Sequence, residues 1–209
     1  VKEASEHFML DSRRPGGATL TALLLLVSLT VASCQALRRL GGGGDTDQAN
    51  QLNRSAGEDI REIEKIVLEN KNKESAISRA LNAGEWDAAR RMMDESVKAI
   101  DLGLEKGQSA AAKFEQAARL DLDPIIKEYL SLRAQSVNRA IEAFKELRRG
   151  IITFRDATGS KDKAATEKAK NEIQLASEKF DKLINEAEKL ELQADDIARR
   201  NPDKIKPGK

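Results

Sequence analysis

An all-α fold is predicted for this chain: an antiparallel bundle of about four long helices with coiled-coil-like packing, after an N-terminal signal peptide and a flexible tether. Three observations predict the bundle. Charged residues make up 34% of the chain and aromatics 3%, with Ala, Leu, Glu, Lys and Arg dominant, a composition typical of long helices. Apolar residues recur at three- and four-residue intervals from about Ile60 to Ile197. The turn signals between these runs are short, at Asn82-Ala83-Gly84, Asp123-Pro124 and Thr158-Gly159-Ser160. A tight turn returns a helix beside its predecessor, so the neighbours must run antiparallel.

The first helix is expected from the capping box Ser55-Ala56-Gly57-Glu58, ahead of Ile60, Ile63 and Val67, with Asp45 or Thr46 as an earlier alternative start. It runs to about Leu81 and loosens at Asn70 to Lys73. A second helix begins at Glu85, with Trp86, Ala89, Met93, Val97, Ile100 and Leu104 on one face and Asp87/Arg91 as an exposed i,i+4 pair. Gly103 and Gly107 either break this helix or let another helix approach closely. The apolar face resumes at Phe114 and Ala118, which favours one long helix with a weak middle.

Asp123 as N-cap and Pro124 at the first helical position start the third helix. Its stripe is Leu130, Ala134, Val137, Ile141, Phe144, Arg148 and Ile151. The fourth helix carries Ala169, Ile173, Ala176, Phe180, Leu183, Ala187, Leu190, Ala194 and Ile197 in heptad spacing and stops before Asn201-Pro202. Such a seam also permits self-association with a second copy. Lys204, Lys206 and Lys209 then fall in a basic tail, expected to be unstructured.

The N-terminal part has a different composition. Arg13-Arg14 and Pro15-Gly16-Gly17 precede an apolar run from Ala18 to Ser33, followed by Cys34, the single cysteine. A cationic segment, an apolar core and a small-residue exit are the three parts of a secretory signal. As a helix, the apolar run would cover roughly 24 Å, short of the roughly 30 Å hydrocarbon core of a bilayer. Glu3, Glu6 and Asp11 spoil a cationic start, whereas Met9 opens a compact positive segment. The expected start is therefore Met9, with the preceding residues, His7 included, as an over-extended start.

Val31-Ala32-Ser33-Cys34 resembles the lipobox of bacterial lipoproteins. The resemblance covers the first 34 residues only. It implies cleavage between Ser33 and Cys34, a diacylglyceryl thioether on Cys34 and an acylated new terminus. Lipidation also accounts for an unpaired cysteine at the exit of a signal, where a free thiol invites cross-linking. Two other fates fit the same residues: retention as an uncleaved anchor, and ordinary signal-peptidase cleavage nearby that leaves Cys34 as a thiol. By analogy with Gram-negative lipoproteins, Gln35 in place of Asp implies the outer membrane if the host has one.

The expected organisation is a signal peptide at 1–33, a lipidated cysteine and Gly-rich tether at 34–50, the helical bundle at 51–201 and the basic tail at 202–209. Gly41 to Gly44 make the tether supple, and Arg38-Arg39 read as solvated rather than lipid-bound. The expected location is the extracytoplasmic side of a bacterial cell envelope, with the membrane as a partner through the lipid on Cys34.

Chemistry is sparse beyond Cys34. Histidine is missing from that part of the chain, which removes Ser-His and Cys-His pairs and the usual zinc and di-iron ligands. Asp45-Thr46-Asp47 opens like a calcium loop, but Ala49 and Asn50 stand where an oxygen ligand and a glycine are needed. No catalytic residue, metal or cofactor is assigned. Lys+Arg 36 against Asp+Glu 35 leaves no basic field for nucleic acid, and no small-molecule substrate is predicted. The expected role is structural or protein-binding.

Trp86, Arg148 and Arg149 are the candidate partner contacts. Each also has a plainer reading: Trp86 as a helix-end core residue, and Arg148 as an edge residue or an inter-helix ion pair that fixes register. Gly84-Glu85-Trp86-Asp87-Ala88-Ala89 resembles the turn of a tetratricopeptide repeat, which implies a peptide-binding adaptor. Ala118, Leu120 and Asp123 stand where that repeat should recur. A carboxylate-based enzyme is a further alternative, to be recognised by two buried acids facing each other in a cleft.

Overall fold

The computed structural model describes residues 43–160 and 162–205. The signal peptide, Ser33, Cys34 and Gly41-Gly42 lie outside the described residues, as do residues 161 and 206–209. The described chain is helical: α1 (Gly43–Asn70), α2 (Lys73–Asn82), α3 (Trp86–Ala118), α4 (Pro124–Ala157) and α5 (Lys163–Arg200). Helices α1 and α2 pack on α3, α3 on α4, and α4 on α5. Asp59 pairs with Lys113, and Lys73 with Glu95. The same antiparallel alignment therefore runs through both, and α1 and α2 form one interrupted rod. The predicted four-rod antiparallel bundle is what the chain builds.

The first rod starts earlier than the capping box indicated, close to the alternative start at Asp45 or Thr46. Thr46, Ala49, Asn53, Ala56 and Ile60 are all buried at three- and four-residue spacing, and Asp45 accepts a hydrogen bond from the Asp121 N–H at 3.0 Å. Residues 43–50 thus belong to the helix rather than to the tether, and Ser55 to Glu58 lie in mid-helix. Tertiary packing of small and polar residues overrides the local stop-and-start signal. The break at Lys71-Asn72 falls where loosening was expected. There the Asn70 side chain donates to the Ile66 carbonyl at 2.7 Å, and Asn72 makes no side-chain cap.

At Gly84 (φ +73°) the chain turns in a Schellman motif: the Glu85 N–H reaches the Ala80 carbonyl at 2.8 Å and the Gly84 N–H reaches that of Leu81 at 3.1 Å. Helix α3 passes through both of its interior glycines unbroken. A Cβ on Gly107 would lie 3.1 Å from a side-chain carbon of Ile141, whereas one on Gly103 would meet nothing within 4 Å. Gly107 is a site of close approach between α3 and α4, and Gly103 is not.

Asp123 caps α4 as expected, its carboxylate accepting from the Ile125 N–H at 2.9 Å. Helix α4 packs on two neighbours and so buries two stripes. Leu130, Ala134, Val137 and Ile141 belong to the predicted one. Arg133, Ser136, Ala143 and Gly150 form a second, towards α5.

Along α5 the buried positions are Ala169, Ala176, Phe180, Ile184, Ala187, Glu191, Ala194 and Ala198. Leu183, Leu190 and Ile197 of the predicted heptad are only half-buried. A straight α-helix drifts about 20° per heptad, and the seam follows that drift by taking four-residue steps at Phe180 to Ile184 and Ala187 to Glu191. Phe180 meets Phe144 edge-on, centroids 5.5 Å apart.

The basic tail is not free over its described part. Ile205 is fully buried, and Lys204 bonds Asp123 at 2.7 Å. One core cluster gathers Ala56 and Ile60 of α1, Phe114 of α3, Tyr129 and Leu130 of α4, Ala194 and Ala198 of α5, and Ile205. This is the base of the bundle, where the chain enters at Gly43. Beyond it, burial divides into two smaller clusters: Ala80, Leu81, Ala89 and Met93 towards the opposite end, the tip, and Ala143, Phe180 and Ile184 about midway along α4 and α5.

Candidate functional site

Two places in the bundle carry more than routine packing: an interior ion pair near the base and a shallow depression at the tip. The interior site is made by Arg133 on α4 and Glu191 on α5. Their side chains are 1% and 3% exposed and meet at 2.9 Å. The Arg133 guanidinium also lies 5.1 Å from the centroid of the Phe114 ring, so three helices meet on one cation. Taking two charges out of water is costly, and their attraction and hydrogen bonding must offset it within the site. Asp195 follows Glu191 by one turn on α5. Burial pushes its carboxyl up, against the opposing charges of Arg133 and Arg199.

Glu191 and Asp195 share one helix rather than facing each other across a cleft, so the arrangement sought for a carboxylate-based enzyme is not formed by this pair. A guanidinium stays charged at all physiological pH, so the pair is suited to holding helices in place. Heptad spacing of apolar residues passes over both. Arg133 falls four residues after Tyr129 and seven after Ile126, and Glu191 four after Ala187. Charges in step with a core stripe are the signal that would have found them.

The tip depression is lined by Gly84, Glu85, Trp86, Arg90, Arg91 and Gly159, among others. Trp86 is the first residue of α3 and remains 39% exposed, which corrects its reading as a buried helix-end core residue. The rods end here, and the α4–α5 turn supplies the packing. A Cβ on Gly159 (φ +75°) would come within 3.2 Å of the Trp86 Cβ. Arg90 donates to the Thr158 carbonyl, tying the two turns together.

The structure places Arg148 and Arg149 away from both sites. Arg148 makes two bonds to Asp101 of α3, at 2.5 and 3.1 Å, and Arg155 repeats the rung seven residues on by bonding Asp94 at 2.7 Å. The hydrogen bond to Asp101 is the main reason the Arg148 guanidinium holds its proton more tightly than usual. The inter-helix ion pair foreseen for Arg148 is therefore present. Arg149 bonds Glu146 on its own helix at 2.6 Å.

Between α1 and α3, Asp59 accepts from Lys113 at 2.5 Å with Lys106 at 3.8 Å. Burial pushes the Asp59 carboxyl up, but hydrogen bonds from Lys113 and Ser109 and the two lysine charges outweigh it. The net result lies below the usual carboxylate range.

Among the described residues no cluster of three or more His, Cys, Asp or Glu side chains could hold a metal ion. No described helix is long and apolar enough to cross a membrane. No family model, curated protein or solved structure matches the chain.

Proposed function

We propose that this chain is a lipid-anchored bundle on the extracytoplasmic side of a bacterial cell envelope, with a structural or protein-binding role. The observation that carries this reading is Val31-Ala32-Ser33-Cys34 at the end of an apolar run too short for a comfortable membrane span. Fatty acyl chains on Cys34 would hold it to the bilayer, at about 0.8 kcal/mol per buried methylene. Gln35 favours the outer membrane in a host that has one.

The fold supports a definite orientation. Eight residues separate Cys34 from the first turn of α1 at Gly43, and eight residues reach at most about 28 Å fully extended. The base would then sit near the bilayer. A helix of 33 residues is about 50 Å long, so Trp86 would be held out at the far end. Trp and Arg are the residue types most enriched among energetically dominant interface contacts, which favours the Trp86 and Arg91 surface over Arg148 and Arg149, whose charges are engaged within the bundle. The adaptor reading has less support, because α3 is packed by α1, α2 and α4 instead of lining an open groove.

Intact mass of the protein taken from its native membrane is the test. The expected mass lacks residues 1–33 and includes fatty acids on the new terminus, and Cys34→Ser moves the protein out of the membrane fraction. A bare thiol at Cys34, or an apolar segment still attached, would exclude the anchor.

A further inference from the structure

Apart from Phe180 and Ile184, which pack with Ala143 and Phe144, the α4–α5 contact is built largely from small residues. Helix α4 presents Ser136, Ala143 and Gly150 seven residues apart, and α5 answers with Ala169, Ala176, Ala187, Ala194 and Ala198. A Cβ on Gly150 would come 2.7 Å from that of Ala176, so the two backbones are very close there. The Ser136 hydroxyl donates to the Ala187 carbonyl at 2.8 Å, a bond that any residue on α5 could accept. Sliding α5 by one heptad still sets small residues together at one of these positions, Ser136 with Ala194 in one direction and Gly150 with Ala169 in the other. The small residues therefore leave the choice of register to the few large and charged side chains of the seam.

We infer that the Arg133–Glu191 pair is the register selector of this seam. In the observed alignment the two charges meet inside the core at 2.9 Å, with Phe114 on the guanidinium. A one-heptad slide would bring Ile184 or Ala198 opposite Arg133 and leave each charge buried without its partner. Breaking a buried pair in that way disfavours the slipped state by about a hundredfold or more in population. The same penalty meets a second copy docking its α5 on this α4 out of register. The partly exposed rungs of the same seam, Arg139–Glu186 and Lys179–Glu146, cannot take over the role, since solvated pairs gain little.

The test is thiol cross-linking with a short bis-maleimide in the full chain carrying Cys34→Ser. Arg139→Cys with Glu186→Cys reports the observed register, because those residues face each other across the seam with their side-chain ends 3.5 Å apart. Arg139→Cys with Gln193→Cys or Lys179→Cys reports a slide of one heptad in either direction. Each cysteine pair is placed in three backgrounds: unchanged, R133M/E191M, and the exchange R133E/E191R. Only the in-register pair should cross-link in the unchanged background. Replacing both charges by Met should keep the helical fold while a slipped pair rises to a tenth or more of the in-register yield, and the exchange should restore the single register. A single register in R133M/E191M, slippage in the exchanged variant equal to that in R133M/E191M, or loss of folding in R133M/E191M would each overturn the inference.

Discussion

The base and the tip of this bundle are built from the same kinds of helix but differ in how the apolar surface is pooled. At the base, residues of α1, α3, α4 and α5 and the returning Ile205 share one core, with Phe114, Tyr129, Leu130 and Ile126 essentially inaccessible. At the tip, Met93 and Leu81 belong to one small cluster, separate from another around Phe180 and Ile184 midway along α5. Helix α2 is 10 residues long and has no side-chain N-cap. Cooperative stability grows with shared burial, and a segment held by one small cluster opens first. A rod can thus be firm at its base and pliable at its tip.

Truncating the base core should show the difference most strongly. Phe114→Ala removes a fully buried ring that also faces Arg133. It should lower global stability by about 3–5 kcal/mol in urea unfolding. Met93→Ala should cost about 2 kcal/mol, expressed mainly as faster amide exchange in α2. Equal global losses from the two substitutions would erase the distinction between base and tip.

A smaller effect is expected at the base turn. Asp123→Ala removes the α4 cap and the partner of Lys204, and should cost about 1–2 kcal/mol. The hydrogen bonds from Lys204 and the Ile125 N–H, in that order, hold the Asp123 carboxyl below its usual range. Its contribution is therefore present above the unfolded pKa, about 3.9, and is lost as pH falls through the lower folded value. Asp59 acts in the same direction. Stability measured between pH 5 and pH 2 should fall, and fall less steeply in Asp123→Ala; an equal slope would remove Asp123 from the account.

Between the two ends, Gly103 faces open space within a continuous helix. Gly103→Ala should raise stability by about 0.5–1 kcal/mol in thermal unfolding, and a loss would mean that a neighbour crowds the added methyl. The smallest change should come from Asp195, whose carboxyl burial pushes up. Its folded pKa lies above the unfolded one, so its relative stabilisation is present below the unfolded value and disappears as pH rises through the folded value. Asp195→Asn should accordingly raise the thermal midpoint at pH 7 and leave it nearly unchanged at pH 3. A midpoint that moves equally at both pH values would show that ionisation of Asp195 is not the cause.

Much of this architecture could be read from residue order. Asp123-Pro124 marks a helix start, the turns at Gly84 and Gly159 have the positive φ that glycine permits, and an inter-helix ion pair was one of the roles open to Arg148. What escaped notice shares a cause. Arg133, Ser136 and Gly150 make the second buried face of α4, yet none is strongly apolar. For the same reason the start at Asp45 or Thr46 is only an alternative by residue order, since Thr46, Ala49 and Asn53 carry the buried face there. A count of hydrophobic residues sees large side chains. Small ones are buried because backbones approach, and polar ones because a partner arrives from another helix.

By itself the sequence determined the helical class, the number of rods, the turns and the candidate lipobox, because these depend on local propensity, spacing and short motifs. Tertiary structure alone decided that α4 serves two neighbours, that Glu191 answers Arg133, that Trp86 stays at the surface and that Ile205 returns to the base. Those outcomes depend on which surfaces meet across tens of residues, and burial and charge pairing at such distances leave no local trace in the order of the amino acids.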